Sequence, residues 1–196
     1  MKKKEKLSVD IPTIEEIENE QKRLRHRAVY QRTLRGTIAV LLVVAAISVL
    51  VATLWMPVLQ IYGSSMSPTL EAGQIVVSVK TNQLKTGEVV AFWQGNKLLV
   101  KRVIAGPGQW VDIDMDGNVT VDGKELIEDY LDVKALGNCD VELPHQVEES
   151  RWFLMGDNRD VSVDSRSAAI GDVSKDQIEG KIVFRIWPLK EFGSMQ

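Results

Sequence analysis

Thr37 to Trp55 is a run of 19 residues without a single charged side chain. At about 1.5 Å rise per residue a helix of that length reaches roughly 28 Å, close to the hydrocarbon thickness of a bilayer, so the run is expected to span a membrane. A cleaved secretory leader also has a basic start and an apolar core. Its core is only about 7–15 residues long, however, and this run begins after 36 mostly polar residues, so a retained anchor is expected. Lys22, Arg23, Arg25, Arg27, Arg32 and Arg35 precede the run, and Met56 to Leu70 carries no Lys or Arg. The positive-inside rule then places the N-terminus in the cytoplasm and everything after the span outside. The reading is a single-pass cell-membrane protein with a cytoplasmic segment over 1–36, a transmembrane helix over 37–55 and an extracytoplasmic domain over 56–196.

Charge sharpens that division. Residues 1–36 hold ten Lys and Arg against six Asp and Glu, whereas residues 37–196 hold fourteen against twenty-one. The acidic outer part lacks the basic face that nucleic-acid binding requires, so nucleic acid is excluded as a partner. The basic N-terminal cluster suits anionic headgroups of the lipid bilayer instead. Cys139 is the only cysteine, so no internal disulfide and no cysteine-based metal spacing can form, and no metal or other cofactor is expected. Its thiol reads as an ordinary packed or partly exposed group.

Residues 1–10 are lysine-rich and polar, with the composition of a disordered segment. After Pro12, Thr13 and Glu16 have the spacing of a capping box, which predicts a helix start, and acidic residues crowd the first turns. That helix can run on into the span. Beyond Pro57 the pattern changes to short alternating or apolar runs: 58–62, 74–79, 88–93, 97–104, 110–113, 119–121, 152–155 and 182–187. These predict β-strands, with Asp116-Gly117-Asn118 and Asp122-Gly123 as turns. The polar stretch from about Asp129 to Ser150 reads as an inserted loop or rim. About 140 residues suffice for one well-buried domain. The fold expected is therefore mainly β, an antiparallel catalytic sheet with a small inserted β/loop region, preceded by one N-terminal transmembrane α-helix.

Three segments carry chemistry. Ser64-Ser65-Met66-Ser67-Pro68-Thr69-Leu70 follows the span closely. Lys101 sits in the apolar run Leu98-Leu99-Val100-Lys101-Arg102-Val103. Gly156-Asp157-Asn158-Arg159-Asp160 leads to Ser162, Asp164, Ser165 and Arg166. A serine hydroxyl needs a positioned base to become a nucleophile. His26 is cytoplasmic by the topology above, and His145 lies in a polar loop and reads as a surface residue. Lys101 is the better base, because burial in apolar surroundings penalises its ammonium form. Taken singly, Ser65 equally suits a turn, and Lys101 equally suits a strand-end lysine that snorkels to water.

Together, in this order, the three segments resemble the nucleophile, general-base and final motifs of the bacterial type I signal peptidases, in particular the shorter Gram-positive forms. The resemblance covers most of residues 55–190. It implies Ser65 as nucleophile, Lys101 as general base and Ser162 as the hydroxyl that orients the lysine amine. Gly156 would leave the space through which the lysine side chain approaches, and Asp164, Arg166 and Arg102 would form supporting ion pairs. Ile61, Met66, Leu70, Leu99 and Val100 would line the pockets for secretory preproteins, whose signal peptides end in small Ala-x-Ala-like residues. Two departures stand out. Gly63 occupies the position where Gram-negative relatives place a serine of the oxyanion hole, and the family's Gly-Asp-Ile-Val is here Gly87-Glu88-Val89-Val90. Other readings are a Ser-Lys peptidase of the same clan with a different target, or a non-catalytic membrane-anchored scaffold or receptor. A Ser-x-x-Lys acyltransferase is excluded, since no serine here precedes a lysine by three positions.

Overall fold

The computed structural model describes residues 13–81 and 83–195, so the lysine-rich stretch 1–10 and Pro12 lie outside the described residues. The chain forms two compact units, residues 1–50 and 51–196. Helix α1 (Ile14–Trp55) opens on the predicted capping box: the Thr13 N–H donates to Glu16 Oε2 at 2.8 Å and the Glu16 N–H to Thr13 Oγ1 at 3.4 Å. It buries no residue against protein, and it is long and apolar enough to cross a membrane.

The second unit is built on antiparallel strands. Its larger sheet contains β1 (Val58–Gln60), β2 (Ile75–Val79), β3 (Val89–Gln94), β4 (Lys97–Ala105), β9 (Arg151–Met155), β10 (Val173–Ser174), β11 (Ile178–Trp187) and β12 (Gly193–Ser194). The order is β1-β2-β11-β3-β4-β9-β10, with β12 added against β11. A smaller sheet joins β5 (Trp110–Ile113), β6 (Val119–Val121), β7 (Lys124–Glu125) and β8 (His145–Gln146) in the order β7-β6-β5-β8. The predicted rim therefore supplies one of its own strands, β8, to the inserted sheet.

Period-two alternation explains why the larger sheet is covered on both faces. Val89 and Ala91 of β3 pack with Ile61, Met66, Leu70, Val76 and Ile182, while Val90 and Phe92 pack with Val103, Trp152, Leu154 and Val173. A third cluster joins Ile104, Phe153 and Met155 of the larger sheet to Val111, Ile113 and Val119 of the smaller one.

The pairing of β4 positions the site. The two ladders of β4 meet at Arg102: pairing with β3 runs from Lys97 to Arg102, and pairing with β9 runs on from Arg102 (Arg102 opposite Met155, Val103 opposite Leu154). From Lys97 to Lys101 it pairs with β3 alone among the described residues. Lys101 thus stands where the sheet changes from closed to open-edged.

Candidate active site

Ser65 lies in a turn-rich loop between β1 and β2. The loop is pinned at both ends by backbone bonds, from the Ile61 N–H to the Gln74 carbonyl and from the Gly73 N–H to the Ile61 carbonyl. Within it the Ser67 N–H reaches the Ser64 carbonyl and the Leu70 N–H the Met66 carbonyl. Met66 and Leu70 are buried, so the loop is anchored by apolar side chains while Ser65, just before Met66, stays half-buried.

Lys101 is 3% exposed, and its Nζ lies 2.6 Å from Ser65 Oγ. Burial lowers its pKa to about 8, against the opposing pull of Asp164 and Asp157; Arg166 lowers it further. A substantial fraction is therefore neutral amine near pH 8, in hydrogen-bond contact with a serine hydroxyl. That pair can exchange a proton without metal or histidine.

The third motif wraps around this pair. The Asn158 N–H donates to the Ser65 carbonyl at 3.1 Å, and the Gly156 N–H to Asp164 Oδ2 at 2.9 Å. A Cβ placed on Gly156 would lie 2.1 Å from Ser162 Oγ and 2.5 Å from the Ser65 carbonyl oxygen. The nearest neighbours of the space left by this glycine are thus Ser162 and the Ser65 backbone. Ser162 differs from expectation. Its Oγ is buried without a hydrogen-bond partner and does not bond the lysine amine. It lies close enough to Asp164 to help hold that carboxylate ionised, yet short of hydrogen-bond geometry.

Buried ion pairs fix the surroundings. Asp164 accepts from Arg166 Nε at 2.8 Å and Nη2 at 2.9 Å. Burial pushes its pKa up, but Arg166 and the Gly156 N–H outweigh that and hold it below the ordinary carboxylate range. Arg166 further donates to the carbonyls of Leu136 and Arg159. Arg102 binds Asp157 with two bonds, Nε to Oδ1 at 2.9 Å and Nη2 to Oδ2 at 2.6 Å, and also reaches the Gly87 carbonyl and Thr69 Oγ1. Successive strand side chains diverge, so Lys101 turns to Ser65 and Arg102 ties down Thr69 of the same loop.

A cleft of about 80 Å³ opens beside the pair, lined by Gln60, Ile61, Tyr62, Gly63, Ser65, Met66 and Leu98 to Lys101. Four of the five expected pocket residues, Ile61, Met66, Leu99 and Val100, line it. Leu70 does not: it is fully buried and packs with Val76, Val89 and Ile182 as a core residue. Gln60, Tyr62 and Leu98 were not foreseen. Gly63 has φ +80°, a conformation in which a side chain is strained, so this backbone disfavours a serine there.

Sequence reading also passed over Asp157, Glu128, Tyr130 and Arg159. Asp157 and Arg159 stand inside the final motif, but nothing local marks their partners, which come from 31 to 55 positions away. His145 is not a free surface residue either. Its Nε2 meets Asp172 Oδ1 at 3.0 Å and its ring leans on Phe153, so it is engaged away from Ser65. Cys139 is half-buried and unbridged, and burial raises its thiol pKa.

Residues 34–187 match the family described as signal peptidase, peptidase S26. Signal peptidase IB of Staphylococcus aureus (strain COL) is 39% identical over 153 residues, covering 67% of this chain and 78% of that protein. Signal peptidase I T of Bacillus subtilis (strain 168) is 35% identical over 142 residues, covering 66% of this chain and 72% of that protein. A crystal structure of a signal peptidase I from Enterococcus faecalis V583 is 25% identical, with a TM-score of 0.43, covering 52% of this chain and 98% of that one. With the match extending over most of its length, this chain belongs to the peptidase S26 family of signal peptidases and is a hydrolase of that family.

Proposed function

We propose that this signal peptidase is a membrane-anchored serine endopeptidase that works through a Ser65-Lys101 dyad and cuts secretory preproteins after small, Ala-x-Ala-like residues. The observation that carries the dyad is the 2.6 Å contact between Lys101 Nζ and Ser65 Oγ, with the lysine buried and its pKa lowered to about 8.

In this reading neutral Lys101 takes the Ser65 proton as Oγ attacks the scissile carbonyl carbon. The negative charge passes to the carbonyl oxygen, where the Ser65 N–H would stabilise it. Collapse breaks the C–N bond, and the Lys101 ammonium gives its proton to the leaving amine, the new N-terminus of the mature protein. Water then attacks the acyl-enzyme with Lys101 again as base. The proton returns to Ser65 Oγ and the signal peptide leaves as a carboxylate. Gly156, Asp164, Arg166 and Arg102 hold the geometry, and Ser162 lies beside it with an unengaged hydroxyl.

Two features support the reading of specificity for small residues. The edge of β4 from Lys97 to Lys101 offers unpaired backbone groups to an extended peptide, and the cleft between that edge and residues 60–66 is only about 80 Å³. Side chains of alanine size fit there. The apolar part of α1 would hold the domain where signal peptides emerge, with the basic residues before Thr37 in the cytoplasm.

The test is cleavage by the full-length protein in detergent of a peptide with an Ala-x-Ala site, beside variants. Ser65→Ala should abolish cleavage with the fold unchanged, whereas Ser64→Ala and Ser67→Ala keep appreciable activity. A dead Ser64→Ala with an active Ser65→Ala would move the nucleophile by one position. Equal cleavage of a Leu-x-Leu peptide would refute the small-residue reading.

A further inference from the structure

The inserted rim places an aromatic ring against the residue next to Lys101. Arg102, the residue after Lys101, has its guanidinium carbon 3.8 Å from the centre of the Tyr130 ring. Tyr130 is held in turn, because its hydroxyl donates to Glu128 Oε1 at 2.9 Å. Glu128 is buried and forms an ion pair with the buried Arg159, whose Nε donates to the Gly156 carbonyl at 3.2 Å. Burial beside Glu128 raises the phenol pKa, so the hydroxyl stays a donor across the working range.

These contacts close a circuit. One end, Arg102, is clamped to Asp157, to the Gly87 carbonyl and to Thr69 of the nucleophile loop. The other end, Arg159, grips the Gly156 carbonyl, and Gly156 faces the Ser65 backbone. Between them stand Tyr130, from the rim, and Glu128, just before it. Four of the five N–H donors of the guanidinium are engaged in its plane, and the aromatic ring covers its face, where a cation is attracted to the π-cloud and water is kept away.

We propose that Tyr130 is a positioning residue for the dyad: its ring, oriented by Glu128, caps Arg102 and so holds the Lys101 strand and the Ser65 loop in register. The ring, rather than the hydroxyl, makes the contact with Arg102. This deepens the dyad reading and rests on it.

The experiment measures kcat, KM and the pH dependence of kcat/KM on an Ala-x-Ala peptide for full-length Tyr130→Phe and Tyr130→Leu, with Ser65→Ala alongside. Tyr130→Phe keeps the ring and should stay within about threefold of wild type. Tyr130→Leu should lose about tenfold or more in kcat with KM within about twofold, the size expected when a group that orients a reacting residue is removed. Loosening also admits water to Lys101, which relieves the penalty on its charged form, so the acidic limb of Tyr130→Leu should move to higher pH. A merely structural loss would lower the amount of active enzyme without moving that limb. If Tyr130→Leu does not fold, Tyr130→Met, which adapts to irregular space, takes its place with the same expectation. Wild-type kcat and limb in the ring-less variant, or a Phe variant as impaired as Leu, would overturn the proposal. An active Ser65→Ala would instead overturn the dyad reading itself, so the two failures are distinguishable.

Discussion

Lys101 Nζ and Ser65 Oγ meet at 2.6 Å although they are 36 positions apart and belong to different elements. The lysine comes from the middle of β4, at the point where β9 ceases to cover its edge, and the serine from a loop anchored by Met66 and Leu70. Neither side chain could hold this position alone. The meeting is imposed by the sheet order, which brings β4 beside β3 and the loop across their shared apolar face.

Keeping a lysine there costs stability. Its folded pKa of about 8 lies below the ordinary 10.5, so the unfolded chain binds the proton more tightly between those values. Stability contributed at this residue therefore rises as pH climbs from about 8 to 10.5, and the full penalty is felt below 8. At 1.36 kcal/mol per unit it is on the order of 3 kcal/mol. Lys101→Met should be inactive yet more stable than wild type at pH 7, by roughly 1–3 kcal/mol once lost contacts are allowed for. Denaturation of both proteins at pH 7 and pH 10.5 checks this: the gain should shrink at the higher pH, and a destabilised variant at pH 7 would contradict it.

Gly156 leaves no room for a methyl group. The added Cβ would sit 2.1 Å from Ser162 Oγ and 2.5 Å from the Ser65 carbonyl oxygen, so either the serine loop or the Ser162 segment must shift. Overpacking of this kind costs about 1–3 kcal/mol. A displacement approaching 1 Å at the nucleophile can cost about a hundredfold in rate. Gly156→Ala should therefore lose about a hundredfold in kcat/KM while melting as a folded protein, and near-normal turnover would refute this account of the glycine.

The orientation rests on the basic residues that precede Thr37 and the uncharged run that follows. Protease added outside intact protoplasts should digest the part of the chain after Trp55. Protection of that part would reverse the topology and with it the proposed access to secreted substrates.

Much of this was legible in the sequence, and the limits have physical causes. All eight predicted strands are present, because each carries enough alternating or apolar residues to declare a buried face. The four missed strands, Lys124–Glu125, His145–Gln146, Val173–Ser174 and Gly193–Ser194, are two residues long and exist only through partners supplied from elsewhere. β11 begins four residues earlier than its apolar run suggests, at a polar stretch broken by Gly180, where a Cβ would lie 2.8 Å from the Val79 carbonyl oxygen. In the site, Ser65 and Lys101, which the structure brings into contact, were paired through motif resemblance, since neither a turn serine nor a strand lysine declares its partner. The Arg102-Tyr130-Glu128-Arg159 circuit was invisible because its members look like ordinary charges and a loop tyrosine until the fold buries them together. Leu70 was misassigned for the converse reason: an apolar residue beside the nucleophile can face the cleft or the core, and only packing decides.

The pH dependence of kcat/KM tests the central claim most directly. If Lys101 is the base, activity should rise on the acidic side with the titration of a group near pH 8, the value that burial gives this lysine. The limb should be unchanged in His145→Ala, and Lys101→Arg, which keeps the charge but cannot release its proton, should show no activity to titrate. A limb near the ordinary histidine value of about 6.5 that vanishes with His145, or an active Lys101→Arg enzyme, would contradict the lysine mechanism.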